Sequence, residues 1–403
     1  MQLEQALCAS RGHQVHLLET SSAHINGIWT EARTSLTSIY SSGSRRAVTK
    51  ALSEIKPDVV HVHNFFPTLS PSVYFACTEA GIPVVQTLHN YRLLCPGATL
   101  FRKGQPCEEC VGKAIAWRGI KEGCYRGSCI GSASVAIMAS VHRRLRTYNR
   151  HVQTIIAPTD FARAKYIEGG LPADRIVVKP NFIAPDPGIG GGRGEFVLFV
   201  GRLSEEKGLP TLLAAWRKMH VPLKIIGSGP LAGLVAHVAQ EVGNITYLGQ
   251  RPPADVYTAL RDARALVFPS RWYEVMPLTI IESFASGIPV IASKLGAMES
   301  MIADGHTGLH FRPGDVDDLT AKVEWAWMHA RQMRSMGLAA RAEYEAKYTP
   351  ERNYEILMEI YDASIQRRTS PHRFAEPPLP RPAPREAVAE VQNSCSRTST
   401  QSA

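Results

Sequence analysis

Two glutamates eight residues apart, Glu274 and Glu282, lie in the run PSRWYEVMPLTIIESFASGIPVIAS, where a loop acid is followed by a helical acid. The first follows an apolar strand, Ala265 to Phe268; the second sits inside the next helix. Pro277 suits the first helical position because its missing N–H would be unpaired there anyway, and Gly287 suits the left-handed residue that closes a helix. Such a helix aims the N–H groups of its first turn, around Leu278 and Thr279, and its positive dipole end at the mouth of the strand, a setting that favours a phosphate. Glu282 is then within reach of sugar hydroxyls next to that phosphate, and a carboxylate accepting two ribose hydroxyls is a common grip on a nucleotide.

Upstream, the strand Phe196 to Val200 runs into Gly201-Arg202-Leu203-Ser204-Glu205-Glu206-Lys207-Gly208 and a helix opening at Pro210. The glycines permit tight turns, and Arg202 and Lys207 are expected to converge outside the strand end, where two cations would neutralise a diphosphate. The turn Ile226-Gly227-Ser228-Gly229-Pro230 adds a second close-approach backbone segment, and Ser293-Lys294-Leu295-Gly296-Ala297 a third. Read singly, each acid is a solvated surface group and each cation a snorkelling side chain. Read together they describe a site for a phosphorylated leaving group.

The order GRLSEEKG, IIGSGPL, YLGQ, E-x7-E, SGIPVIAS and GHTGLHF resembles the retaining family-4 glycosyltransferases of the two-domain GT-B fold, over about residues 14 to 367. The resemblance implies that Arg202 and Lys207 contact the donor diphosphate, that Glu282 holds the ribose with Gly201, Gly227, Gly229, Gln250, Pro277, Leu278 and Thr279 around the nucleotide, and that Glu274 lies near the transferred sugar. It also implies that His89, in Val84-Val85-Gln86-Thr87-Leu88-His89-Asn90, faces the donor sugar. The implied activity is transfer from a nucleotide-diphosphate sugar to a hydroxyl of a saccharide or lipid-linked glycan, with retention and with no metal in catalysis. A departing phosphate oxygen would take the acceptor's proton. Two rivals share the fold class: a sugar-nucleotide epimerase, and an inactive sugar-nucleotide-binding protein.

With 403 residues, 44% hydrophobic and 20% charged, the chain can bury more than one core. A Gly/Pro-rich stretch from 184 to 194 reads as a linker. After it, strands are expected near 196–200, 223–226, 245–248, 265–268, 288–292 and 308–311, alternating with helices. Before it they are expected near 14–18, 58–62, 83–87, 154–157 and 176–179. This rhythm is that of two doubly wound parallel sheets. The expected organisation is an acceptor-side domain over 1–183 with a cysteine-rich insertion at about 94–130, a nucleotide-sugar domain over 195–350, and a helix over 351–368 packing back on the first domain. The proline-rich, Ser/Thr-rich stretch from 369 to 403 reads as a disordered tail.

The beginning departs from the family. Residues 2 to 12 read as the first helix, so the first strand and its glycine loop are missing; a mis-set start codon or a shortened chain is the favoured explanation, and a true deletion would leave a weakly active protein. Cys107-Glu108-Glu109-Cys110, with Cys95 and Cys124, could complete a tetrahedral structural zinc site; free buried thiols or a disulfide are the alternatives. The net charge of +9 is partly concentrated in residues 142–151, after the apolar Ala133 to Val141. That segment could lie on an anionic membrane or be a helix with a buried stripe and solvated arginines. Basic residues without interleaved aromatics argue against nucleic acid. No apolar run reaches the roughly 20 residues of a spanning helix, so the expected location is cytosolic, with the inner leaflet as the one membrane it could touch. Asp315-Val316-Asp317 looks like a metal motif but opens a helix, where acids cap N–H groups. His61 and His63 share one face of a strand, without a third ligand near in sequence for a metal.

Overall fold

Short apolar runs become parallel strands, and the loops at their carboxyl ends carry His89, Arg202, Lys207 and Glu274. The computed structural model describes residues 1–20, 37–66, 68–190 and 194–369. The first half holds a four-stranded parallel sheet of β1 (Val60–Val62), β2 (Val84–Thr87), β5 (Thr154–Ala157) and β6 (Ile176–Val178), in the order β1-β2-β5-β6. A two-stranded hairpin, β3 (Phe101–Arg102) and β4 (Gln105–Pro106), stands apart from it in the cysteine-rich insertion. Lys103 and Gly104 both take positive φ between them, as a two-residue hairpin turn requires.

The second half holds a six-stranded parallel sheet: β7 (Val197–Val200), β8 (Leu223–Ile226), β9 (Ile245–Gly249), β10 (Ala265–Phe268), β11 (Val290–Ser293) and β12 (Gly308–Phe311), in the order β12-β11-β10-β7-β8-β9. Strands β10 and β11 are buried along their whole length, which is why they read as continuous apolar runs instead of alternating ones. Helices cover both faces. Leu209–Trp216 buries Leu212, Leu213 and Trp216 beneath one face, where the Trp216 indole N–H donates to Val221 O at 2.8 Å; Leu278–Ala285 buries Ile280, Ile281 and Phe284 beneath the other. Burying each of these large side chains contributes about 1.5–3 kcal/mol. The two halves are therefore α/β domains, each with its own parallel sheet.

The segment Gln14–Leu18 forms no strand, contrary to the expectation. Val15, Leu17 and Leu18 are exposed, and β1 ends its sheet with no neighbour on the outer edge among the described residues. A strand needs a ladder partner, and none lies beside this one. The last described helix, Pro350–Thr369, returns to the first sheet: Leu357 and Ile360 pack with Cys8, Val85 and Ile156, Ser364 Oγ lies 2.8 Å from Thr154 Oγ1, and Asn353 Nδ2 donates to Pro180 O at 2.6 Å. Residues 191–193 of the expected linker and, past Thr369, the whole expected tail lie outside the described residues.

Candidate functional site

Because β7 and β10 are parallel neighbours, the loops at their carboxyl ends open side by side, and backbone bonds sew them together. Arg271 N donates to Glu206 O at 2.8 Å, and Ser270 Oγ to the same carbonyl at 3.3 Å. Gly208, at φ +76°, closes the turn Glu205–Lys207; a Cβ there would lie 1.8 Å from Pro269 O. On the other side, a Cβ at Gly227 would lie 1.9 Å from Gly201 O, and one at Gly229 2.5 Å from Leu203 O. The close approach expected of these glycines is thus made between the loops themselves. Gly208→Ala combines left-handed strain with a backbone collision, and we expect it to cost about 3 kcal/mol or more, read as a lowered midpoint in thermal unfolding; an unchanged midpoint would contradict this packing.

Lys207 turns back over the rings of Phe268 and Trp272, 5.5 and 5.4 Å from their centroids, and its Nζ donates to Glu274 Oε1 at 2.6 Å. The same oxygen accepts from Trp272 Nε1 at 2.6 Å and Ser270 Oγ at 2.8 Å. Glu274 is only 6% exposed, so an acid that reads from sequence as a loop carboxylate is buried and held by three donors. Arg202, in contrast, is exposed and makes no ion pair among the described residues, while Lys207 is paired with Glu274. Ser270 and Trp272 were missed in the sequence reading, although an indole donor two residues before an acid in a strand-end loop is a usable signal.

The helix Leu278–Ala285 starts one residue later than the spacing suggested, with Pro277 as its cap and no side chain capping its first turn. Of its first-turn N–H groups, Ile280 N donates to Pro277 O at 3.2 Å and none is taken by a side-chain cap, with Leu278 exposed beside them. Gly287 takes φ +70° after it, and Ile288 N returns to Ser283 O at 2.9 Å. Glu282 is half-buried, its carboxylate has no hydrogen-bond partner among the described residues, and burial raises its carboxyl above the ordinary value. Gln250 lies at the end of β9, 3.2 Å from Ser228 Oγ in the Gly227 turn.

From the first domain, Tyr91 and Thr159 reach this loop: Tyr91 Oη lies 3.5 Å from Glu274 O, and Thr159 Oγ1 donates to Val275 O at 3.0 Å. His89, two residues before Tyr91, is half-buried with its Nε2 2.9 Å from His63 Nδ1, and the rings stack at 5.2 Å. Burial keeps both imidazoles below their ordinary values, His63 at about 4. His63 also lies 3.6 Å from Glu4, whose carboxyl Lys179 holds down to about 2 against the opposing effect of burial. His61 instead contacts Tyr361 Oη and Thr87 Oγ1. His63 is the partner that the sequence reading weighed only as a metal ligand.

Asp315 caps its helix by accepting from Asp318 N at 2.9 Å. The expected zinc site does not assemble: no group of three or more His, Cys, Asp or Glu side chains among the described residues is arranged to hold a metal. Cys95, Cys107, Cys110 and Cys124 are free thiols close enough to influence one another, and burial pushes Cys124 up to about 11. The apolar stripe before residues 142–151 is also accounted for, since Val135, Met138 and His142 are buried in the first core.

Residues 4–181 match the model of the glycosyl transferase 4-like domain, and residues 191–343 that of glycosyl transferases group 1. The chain belongs to the family-4 glycosyltransferases of the GT-B fold. This glycosyltransferase is 34% identical over 158 residues to D-rhamnosyltransferase WbpZ of Pseudomonas aeruginosa, covering 38% of the chain and 42% of the relative. It is 25% identical over 353 residues to a phosphatidyl-myo-inositol mannosyltransferase of Mycolicibacterium smegmatis, covering 80% and 78%. The matched region spans about half or less of the first of these relatives. Its fold is that of Anabaena HepE in complex with UDP (TM-score 0.62, 16% identity, 79% of this chain and 82% of that one) and of sucrose-phosphate synthase from Thermosynechococcus elongatus (TM-score 0.64, 16% identity, 90% and 91%). No described helix of the transferase is long and apolar enough to cross a membrane.

Proposed function

We propose that this glycosyltransferase moves a sugar, of hexosyl or related type, from a nucleoside-diphosphate sugar to a hydroxyl of a glycan or lipid-linked acceptor, with retention of configuration and without a catalytic metal. One observation carries the reading: a half-buried carboxylate with no partner, Glu282, stands on the helix whose uncapped start opens beside the Lys207–Glu274 pair. A buried acid without donors is costly unless a ligand supplies them, and ribose hydroxyls do so. The uncapped N–H groups, with Arg202 swinging in from solvent and Lys207 close by, would neutralise the diphosphate as it leaves, the largest contribution expected in such a step. Glu274, fixed at Oε1, keeps its second oxygen for a donor-sugar hydroxyl. His89, steadied by His63, would meet the sugar from the acceptor domain. We place the linker at 184–194, with closure about it excluding water. The similarity to a phosphatidyl-myo-inositol mannosyltransferase supports a lipid-linked partner.

The test is a thermal-shift panel of nucleoside diphosphates and sugar nucleotides, since a ligand of the folded state raises its stability by mass action; no shift with any member would end the proposal. The pH dependence follows from Glu282. In the free protein its raised pKa means that protonation favours the folded state, so this group's own contribution grows as pH falls through the raised value. Ribose hydroxyls favour the charged form, so binding should release a proton just above the usual carboxylate range of about 4.3, and affinity should decline below it. Calorimetry in buffers of differing ionisation enthalpy, with Glu282→Gln as the reference for the phosphates' own titration, should show the release only in the wild type.

A further inference from the structure

The helix Cys129–Arg144 is apolar on two sides. One side, Ser132, Val135, Met138 and His142, is buried in the core of the first domain. The other carries Ile130, Ile137 and Arg144, at i, i+7 and i+14 on one face, and there Ile130 is 78% exposed. Ile137 is 46% exposed on the same face. Beside them runs residues 113–121 of the insertion, tied to the helix by Ser140 Oγ donating to Ala114 O at 2.7 Å and Arg143 Nη1 donating to Lys113 O at 2.6 Å. This stretch presents Ile115 and Trp117, the latter 68% exposed, with Lys113, Arg118 and Lys121 around an open concavity of about 630 Å³. Between Leu94 and His151 the chain carries ten lysines and arginines against three glutamates, which accounts for most of the net charge of +9.

We propose that this face docks on an anionic lipid surface, with Trp117, Ile115, Ile130 and Ile137 entering the boundary between headgroups and acyl chains and Lys113, Lys121 and Arg144 meeting lipid phosphates. Indole and isoleucine side chains ringed by cations are the composition of an interfacial anchor, and exposed apolar groups of this size are otherwise disfavoured. The charge selects negative headgroups over neutral ones. Arg118 contributes less, because Glu109 and Glu122 already hold it at 3.0 and 3.5 Å. The inference deepens the acceptor reading above and rests on it for its purpose, since an enzyme working on lipid-linked glycans gains from sitting where they are.

The experiment is co-sedimentation of the full chain with vesicles of phosphatidylcholine alone or mixed with an equal part of phosphatidylglycerol. Binding is expected only to the mixed vesicles, weakening with added salt as exposed charges are screened. The triple variant Lys113→Glu, Lys121→Glu, Arg144→Glu should lower partitioning about a hundredfold or more, and Trp117→Ala about tenfold. The wild type's tryptophan emission should shift to the blue on mixed vesicles, and this shift should be largely absent from Trp117→Phe. Equal binding to neutral vesicles, no binding to either, or unchanged binding by the variants would overturn the proposal. The nucleoside-diphosphate thermal shift of the same variants separates the two readings. If vesicles bind while no nucleotide does, the catalytic reading fails and the surface stands; a retained nucleotide shift with no lipid binding leaves the reverse.

Discussion

Lys207→Met should lower turnover by about 10²–10³-fold, the loss typical of removing one preorganised donor from a developing anion, and should also destabilise the fold. Glu274 would keep its Ser270 and Trp272 donors but lose the Lys207 cation while remaining buried. Breaking a buried pair from one side costs about 3–5 kcal/mol; because the Lys207 side chain is 21% exposed, about 2 kcal/mol is the better expectation here. The double variant Lys207→Met, Glu274→Gln removes the orphaned charge along with its partner. It should recover most of the lost stability in denaturant titrations and none of the lost turnover, which separates the structural duty of the pair from the chemical one. If turnover returned with stability, the lysine would be a fold element only.

Glu282→Ala should raise the dissociation constant for a nucleoside diphosphate by about 10²–10⁴-fold, since two hydrogen bonds to a charged acceptor are worth about 1.5–3 kcal/mol each. The uncapped helix start and Arg202 are untouched by this change, so inorganic pyrophosphate should bind the variant as it binds the wild type. Arg202→Ala should show the reverse order, weakening pyrophosphate and nucleoside diphosphate alike while leaving a plain nucleoside unaffected. Titration calorimetry with the three ligands decides the matter. A Glu282 variant that loses pyrophosphate as well would mean that the carboxylate shapes the loop instead of holding a sugar.

The middle of the C-terminal sheet was readable because β10 and β11 are buried on both faces and so appear as unbroken apolar runs. The expected strand at Gln14–Leu18 did not form, because among the described residues no ladder partner lies beside it. At the site, spacing pointed to Lys207, Glu274 and Glu282 as residues, yet not to their pairing. Whether a lysine faces a phosphate or a carboxylate depends on the positive-φ glycine behind it and the aromatic floor beneath it, and both are tertiary facts. The His63–His89 contact was hidden for a similar reason: it crosses from β1 to the loop after β2, and only register brings the two rings together. The cysteine spacing misled in the opposite direction, since a C-x2-C knuckle does not itself turn four thiols toward one point.

The glycine contacts bear on how an enzyme of this kind can change its substrate. With Gly227 seated on Gly201, Gly229 on Leu203 and Gly208 on Pro269, three connecting segments form one masonry course in which no block can be lengthened without lifting the next. Diversification of the sugar accepted would then proceed by exchanging side chains along the rim, while insertions collect elsewhere in the molecule, as the long segment between β2 and β5 already has.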